Sequence, residues 1–153
     1  MRILRTASRW WILGPALVVY TAAWLAPATL WFDSRAITVS DSVVGRAATV
    51  TEDRMIRWTF YGEFTAAVRR VDDDVATACS GSGQRRYIGG QDGFRTSDLI
   101  DWTDNNPACA WIPPGTYYLD TCRTVLRAAG GIIPAKTACW RSEPFTIKEA
   151  PKK

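Results

Sequence analysis

Apolar and polar residues are distributed along this chain in three distinct patterns, each predicting a different kind of element. Residues 10–32, WWILGPALVVYTAAWLAPATLWF, run for twenty-three positions without a charge. At 1.5 Å per helical residue the run reaches about 34 Å, enough for a hydrocarbon core of about 30 Å, and it predicts a transmembrane anchor. Residues 56–69 instead have a period of two. Ile56, Trp58, Phe60, Gly62, Phe64, Ala66 and Val68 share one parity, while Arg57, Thr59, Tyr61, Glu63, Thr65 and Arg69 share the other. That alternation predicts an antiparallel strand with one buried face, placing Trp58, Phe60 and Phe64 in the core and Tyr61 on the wet side. The run is long for one strand, so Gly62 is expected to be a bulge or bend. The third pattern is fragmentary. Residues 36–51 alternate weakly, predicting one or two short strands, and Thr116–Leu126 and Thr137–Ile147 read as later ones. Between them, residues 80–106 are dense in turn formers, with a short strand at Tyr87-Ile88 and a helical turn capped at Ser97-Asp98 that ends at Trp102.

Together these predict an all-β chain: an antiparallel sandwich of six to eight strands behind one N-terminal transmembrane helix. The expected organisation is a cytoplasmic basic leader over 1–9, the anchor over 10–32, an exported domain over 33–147 and a disordered tail over 148–153.

The flanks of the apolar run give it a direction. Arg2, Arg5 and Arg9 precede it, which predicts a cytoplasmic N-terminus and an exported remainder. Trp10 and Trp11 at one end, with Trp31 and Phe32 at the other, suit the two interfaces of a bilayer. A cleaved signal peptide competes with the anchor, because Thr21-Ala22-Ala23 and Ala26-Pro27-Ala28 are small-x-small sites. Against cleavage, the apolar stretch outlasts the usual 7–15 residues of a signal core. A buried core helix would be shorter and carry a polar face. The short leader and the lack of Asn-x-Ser/Thr sites favour a bacterial inner membrane with the domain in the periplasm; a type II eukaryotic protein is the alternative. Charge follows the same division. Three of the 19 basic residues lie in the leader, leaving 16 against 15 acids, so the exported part is nearly neutral and no nucleic-acid footprint is expected.

Cys79, Cys109, Cys122 and Cys139 all lie beyond the apolar run, on the side expected to be oxidising, and four there predict two disulfides. No C-x-x-C pair and no histidine is present, which argues against zinc. A hairpin centred on Gly130-Gly131 pairs residues whose numbers sum to 261, setting Cys122 opposite Cys139 within disulfide range. Pro134 cannot donate at its ladder position, so a wider loop over roughly 127–134 is expected with the same register. Cys79–Cys109 follows by elimination.

The segment Pro114-Gly115-Thr116-Tyr117-Tyr118-Leu119 resembles the entry to the penultimate strand of immunoglobulin-like and fibronectin-III-like sandwiches, over residues 112–147. The resemblance implies an Ig-like sandwich, a fold that hosts many functions. Cys122 departs from it, lying four residues after Tyr118 rather than two.

Candidate chemistry is narrow. Without histidine, Ser-His-Asp and Cys-His catalysis are excluded. Glu63, Asp72, Asp73, Asp74, Asp98, Asp101 and Asp104 are the carboxylates available to a periplasmic hydrolase, with no spacing that selects a pair. Asp98, Asp101, Asp104 and Asn105 offer oxygen ligands for Ca²⁺ but lack EF-hand spacing. Tyr61, Trp102 and Trp111 are the candidate partner surface. The expectation is a non-enzymatic envelope protein without a cofactor. It is held in the bilayer through residues 10–32 and binds an envelope protein, or a second copy of itself, close to the membrane. A carboxylate hydrolase and a sugar- or Ca²⁺-binding sensor are the alternatives.

Overall fold

A computed structural model describes residues 4–126 and 134–151, with side chains from Leu13 onward. Apart from Pro134, the loop expected over 127–134 lies outside the described residues. The chain opens with helix α1, Leu4–Leu25. It does not continue to Phe32 as the apolar run predicts. Pro27 adopts an extended conformation that helix cannot use, a 3-10 turn occupies Ala28–Leu30, and Phe32 opens the first strand with its ring in the core. The uncharged helical stretch is therefore Trp10–Leu25, and among the described residues no helix is long and apolar enough to cross a membrane.

Among the described residues nine strands follow: β1 Phe32–Val39, β2 Ser42–Val43, β3 Thr49–Ile56, β4 Phe60–Arg70, β5 Ala76–Tyr87, β6 Gly93–Asp98, β7 Gly115–Val125, β8 Lys136–Arg141 and β9 Phe145–Lys148. A single helical turn, α2, spans Leu99–Trp102, with Asp98 at its N-cap position, and a 3-10 turn covers Pro107–Ala110. One sheet has the order β1-β3-β6. The other has β2-β9-β7-β4-β5, with β8 also paired to β7. Apart from the short parallel pair β2–β9 the ladders are antiparallel, and the inner faces pack as a sandwich.

Several local expectations change. The period-two run of 56–69 is two strands, since residues 57–59 turn between Ile56 and Phe60. Ile56, Phe60 and Phe64 are buried as predicted, but the turn carries Trp58 outward to 53% exposure against Trp31. Register is continuous through Gly62; the irregularity falls between Ala67 and Arg69. The Ser80-Gly81-Ser82-Gly83 run is not a turn but the middle of the edge strand β5. A side chain at Gly81 would collide with the Thr103 backbone, and one at Gly83 with the Phe64 ring. Asn106 covers part of that edge by donating to the Ala78 and Ser80 carbonyls. The last predicted strand divides at Ser142-Glu143-Pro144 into β8 and β9, which takes Lys148 out of the tail and gives nine strands among the described residues, against the six to eight expected.

Both disulfides are present. Cys122 faces Cys139 across β7 and β8 on the outer face of the larger sheet, in the register summing to 261, with Cα atoms 4.0 Å apart. Cys79–Cys109 is buried and ties β5 to the 3-10 turn. At the start of β7 the Tyr117 hydroxyl donates to the Pro113 carbonyl at 2.9 Å, a tyrosine-corner type of contact.

Candidate functional site

The buried apolar residues form two clusters, with half-buried Trp140 packed against both. One apolar cluster is built around Val50, Val68, Leu99, Leu119 and Phe145, and a second around Phe32, Ile56, Phe60, Tyr87 and Val125. Between them lies a polar layer formed by residues at buried strand positions. Glu52 and Arg54 share the inward parity of Val50 and Ile56 on β3. Arg123 shares that of Leu119 and Val125 on β7. Glu52 is 1% and Arg123 6% exposed. The Arg123 Nη2 atom lies 3.4 Å from both Glu52 carboxylate oxygens, and the Ser34 hydroxyl donates to Glu52 Oε1 at 2.9 Å. Arg123 also donates to Thr121 Oγ1, and its guanidinium lies over the rings of Phe32 and Trp102 at 4.7 and 5.0 Å. A buried ion pair keeps its charges only when hydrogen bonds compensate lost hydration, and these contacts supply them.

This pair forms the floor of a cleft of about 360 Å³ between the sheets, where the edge strands β5 and β6 part. Four guanidiniums face it, from Arg54, Arg85, Arg95 and Arg123, against two acidic residues, Glu52 and Asp101, whereas Arg86 turns its guanidinium over Tyr61 on the outer face. The excess is two positive charges. Phe64, Tyr87 and Trp102 supply apolar wall. Arg95 stands opposite Glu52 across the β3–β6 ladder, and Arg85 reaches in from the other sheet opposite Gly62.

The arginines are weakly compensated. Among the described residues none of Arg54, Arg85, Arg86 and Arg95 has a carboxylate within 4.0 Å. Arg85 donates to the Asp101 carbonyl and lies 4.3 Å over the Phe64 ring, and Arg95 donates to Gln91. The Nε atoms of Arg54 and Arg123 are buried without an acceptor. Burial, followed by the nearby Arg95 and Arg123, lowers the Arg54 pKa from its ordinary value, while Glu52 opposes the shift. Burial likewise raises the Tyr87 phenol, against the pull of Arg123.

The residues singled out from sequence are scattered by comparison. Tyr61 lies on the outer face of the larger sheet beneath Arg86, Trp111 is exposed beside Gly45, and only Trp102 enters the cleft. Among the described residues no three metal-ligating side chains converge, in the acidic loop of Asp98, Asp101 and Asp104 or elsewhere. Asp101 is the one member at the cleft. Of the two cleft carboxylates, Glu52 is held by Ser34 and Arg123. The arginines were missed, although charge at buried strand parity marks Glu52, Arg54 and Arg123 in the sequence itself.

No protein-family model matches this chain, and no curated protein matches it. Among solved structures, the extended catalytic domain of H. jecorina LPMO9A (EG4) is similar with a TM-score of 0.42 and 10% identity, covering 78% of this chain. The match covers 51% of that structure, so this chain spans about half its length.

Proposed function

We propose that this protein is a non-enzymatic binding module: an exported, Ig-like β-sandwich, held at the bacterial inner membrane by α1, that engages an anionic partner through the arginine-lined cleft. The observation that carries this reading is that Arg54, Arg85 and Arg95 line one cleft with no carboxylate within 4.0 Å among the described residues, since such groups favour a ligand that brings negative charge. The Tyr117 corner supports the Ig-like assignment. Membrane association is supported by α1, whose described apolar side chains, including Leu13, Leu17, Val18, Val19 and Leu25, are exposed around its whole circumference. The Thr21 hydroxyl turns back to the Leu17 and Val18 carbonyls, which leaves that part of the helix surface apolar. The partner lies close to the membrane. Arg57 N donates to the Trp31 carbonyl just beyond α1, and the adjacent Ile56 lines the cleft.

The test is crosslinked capture from native membranes with the full chain and with an Arg54→Glu/Arg95→Glu variant. The expected result is a set of partners retained by the first, lost from the second, and weakened by salt. Identical capture by both chains overturns the assignment to the cleft.

A further inference from the structure

The count and placement of the cleft arginines limit the chemistry of the ligand, provided the cleft is the binding site proposed above. Arg123 is part of the wall, because Glu52 neutralises it and two rings hold its plane. Arg54, Arg85 and Arg95 remain. Arg54 is half-buried behind the mouth, whereas Arg85 and Arg95 are exposed at it. Arg54 and Arg95 are diagonal neighbours on one face of β3 and β6, about 7–8 Å apart at Cα for such a pair. Arg85 faces them from the opposite sheet. Three forks directed at one space require an anion with more than one charge and acceptors on several sides. A monocarboxylate brings one charge and two coplanar oxygens. A phosphate monoester brings a charge of about −1.5 to −2 and three acceptor oxygens arranged tetrahedrally.

We infer that this cleft is a phosphate-monoester site in which Arg54, Arg85 and Arg95 hold the phosphoryl oxygens and Trp102, Phe64 and Tyr87 flank the ester substituent. The phosphoryl group cancels the excess charge of the cleft. The same headgroup chemistry occurs on a soluble ester and on a phosphatidic-acid surface, and the cleft's closeness to α1 makes both accessible.

The experiment uses the full chain in nonionic detergent, with thermal shift and calorimetric titration against inorganic phosphate, phenyl phosphate, sulfate, acetate and succinate at matched ionic strength. Phosphate and phenyl phosphate should raise the melting temperature saturably, phenyl phosphate at the lower concentration; sulfate, also a tetrahedral dianion, should act like inorganic phosphate and more weakly than phenyl phosphate, and acetate should have no such effect. Arg54→Gln and Arg95→Gln should each weaken phenyl phosphate by about ten- to a hundredfold, as expected for a charged hydrogen bond, while Arg141→Gln on β8 should not. Arg95 is exposed, so its variant reports even if Arg54→Gln fails to fold. Vesicles of phosphatidylcholine with and without phosphatidic acid locate the source: capture on the acidic vesicles in excess of that on neutral ones, the excess being lost in Arg95→Gln, assigns a lipid headgroup, and equal capture on both with preference for phenyl phosphate assigns a soluble ester. Succinate binding that depends on Arg95 without phosphate binding overturns the phosphate assignment and leaves an anion cleft. If no anion distinguishes Arg95→Gln from the unaltered chain and partner capture is also unchanged, both proposals fall.

Discussion

Glu52 and Arg123 perform two tasks at once, and the tasks respond oppositely to mutation. As a pair they neutralise each other in the polar layer at the floor of the cleft, where both are buried. Glu52→Leu leaves Arg123 charged, buried and unpaired, and should destabilise the fold by about 3 kcal/mol in urea unfolding. Adding Arg123→Met should recover much of that loss, because the double change removes both desolvated charges. The single Glu52→Leu variant should nevertheless bind anions more tightly, since it removes one of the cleft's two negative charges. Titration and unfolding of that one variant therefore give opposite signs. Tyr87 offers a pH-dependent reading of the same layer. Its ring stacks on Phe60 at 4.7 Å and burial raises its pKa above 10.0. A group raised in the folded state holds its proton more tightly there, so its stabilisation is complete below the unfolded value and is lost as pH climbs through the folded one. Tyr87→Phe removes that dependence. The unaltered protein should lose more stability than Tyr87→Phe between about pH 9 and 11, measured as urea midpoints.

At the scale of elements, the two disulfides differ more in access than in loop length. Closing 17 and 30 residues corresponds to about 3 and 3.6 kcal/mol in the chain-entropy model, a small difference. Cys139 is exposed on the outer face of its sheet, whereas Cys79 and Cys109 are buried. A mild thiol reductant under native conditions should therefore open Cys122–Cys139 first, and mass spectrometry of alkylated peptides should find Cys79 and Cys109 unlabelled at that point. The β7–β8 register was legible because two cysteines and a Gly-Gly pair share one centre of symmetry. Strand β5 was illegible for a local reason: Ser-Gly-Ser-Gly has turn composition, and only the Thr103 backbone, brought across by α2, shows why glycine is needed in a strand there. Gly81→Ala puts a methyl group 2.1 Å from the Thr103 carbonyl oxygen, and the Thr103 backbone itself must shift to admit it. Gly83→Ala meets only the Phe64 ring, which can turn. The first should cost about 2–3 kcal/mol and the second about 1 by thermal unfolding. The cleft was hidden for the same reason. Arg85 and Arg95 fall in a stretch that reads as loop, where no parity can be assigned. The three-residue turn after Ile56 preserves the alternation and so disguises two strands as one.

For the whole molecule, the open issue is what α1 is for. Its uncharged part, Trp10–Leu25, has 16 residues and a helical length of about 24 Å, short of a hydrocarbon core of about 30 Å. Yet its described side chains do not cover the sandwich. The tie between them is the Lys136 ammonium donating to the Trp24 carbonyl at 2.6 Å, in an exposed position. An apolar helix exposed all round contributes little to the fold beneath it and must be covered by something else. Removing residues 1–25 should therefore change stability by less than about 1 kcal/mol, a shift of a few degrees in the unfolding midpoint, while abolishing retention in the membrane fraction. The cut belongs before the 3-10 turn. Leu30 and Trp31 donate to the Pro27 and Ala28 carbonyls, and Ala28 is buried, so a chain starting at Thr29 loses both acceptors and should be measurably less stable. That difference also separates anchor from signal peptide. Intact-mass measurement of the protein recovered from its native membrane should show residues 1–25 present. A mature chain beginning at Trp24 or Thr29 would replace tethering with export alone, and the acidic partner would then be sought in the soluble phase as well as at the bilayer.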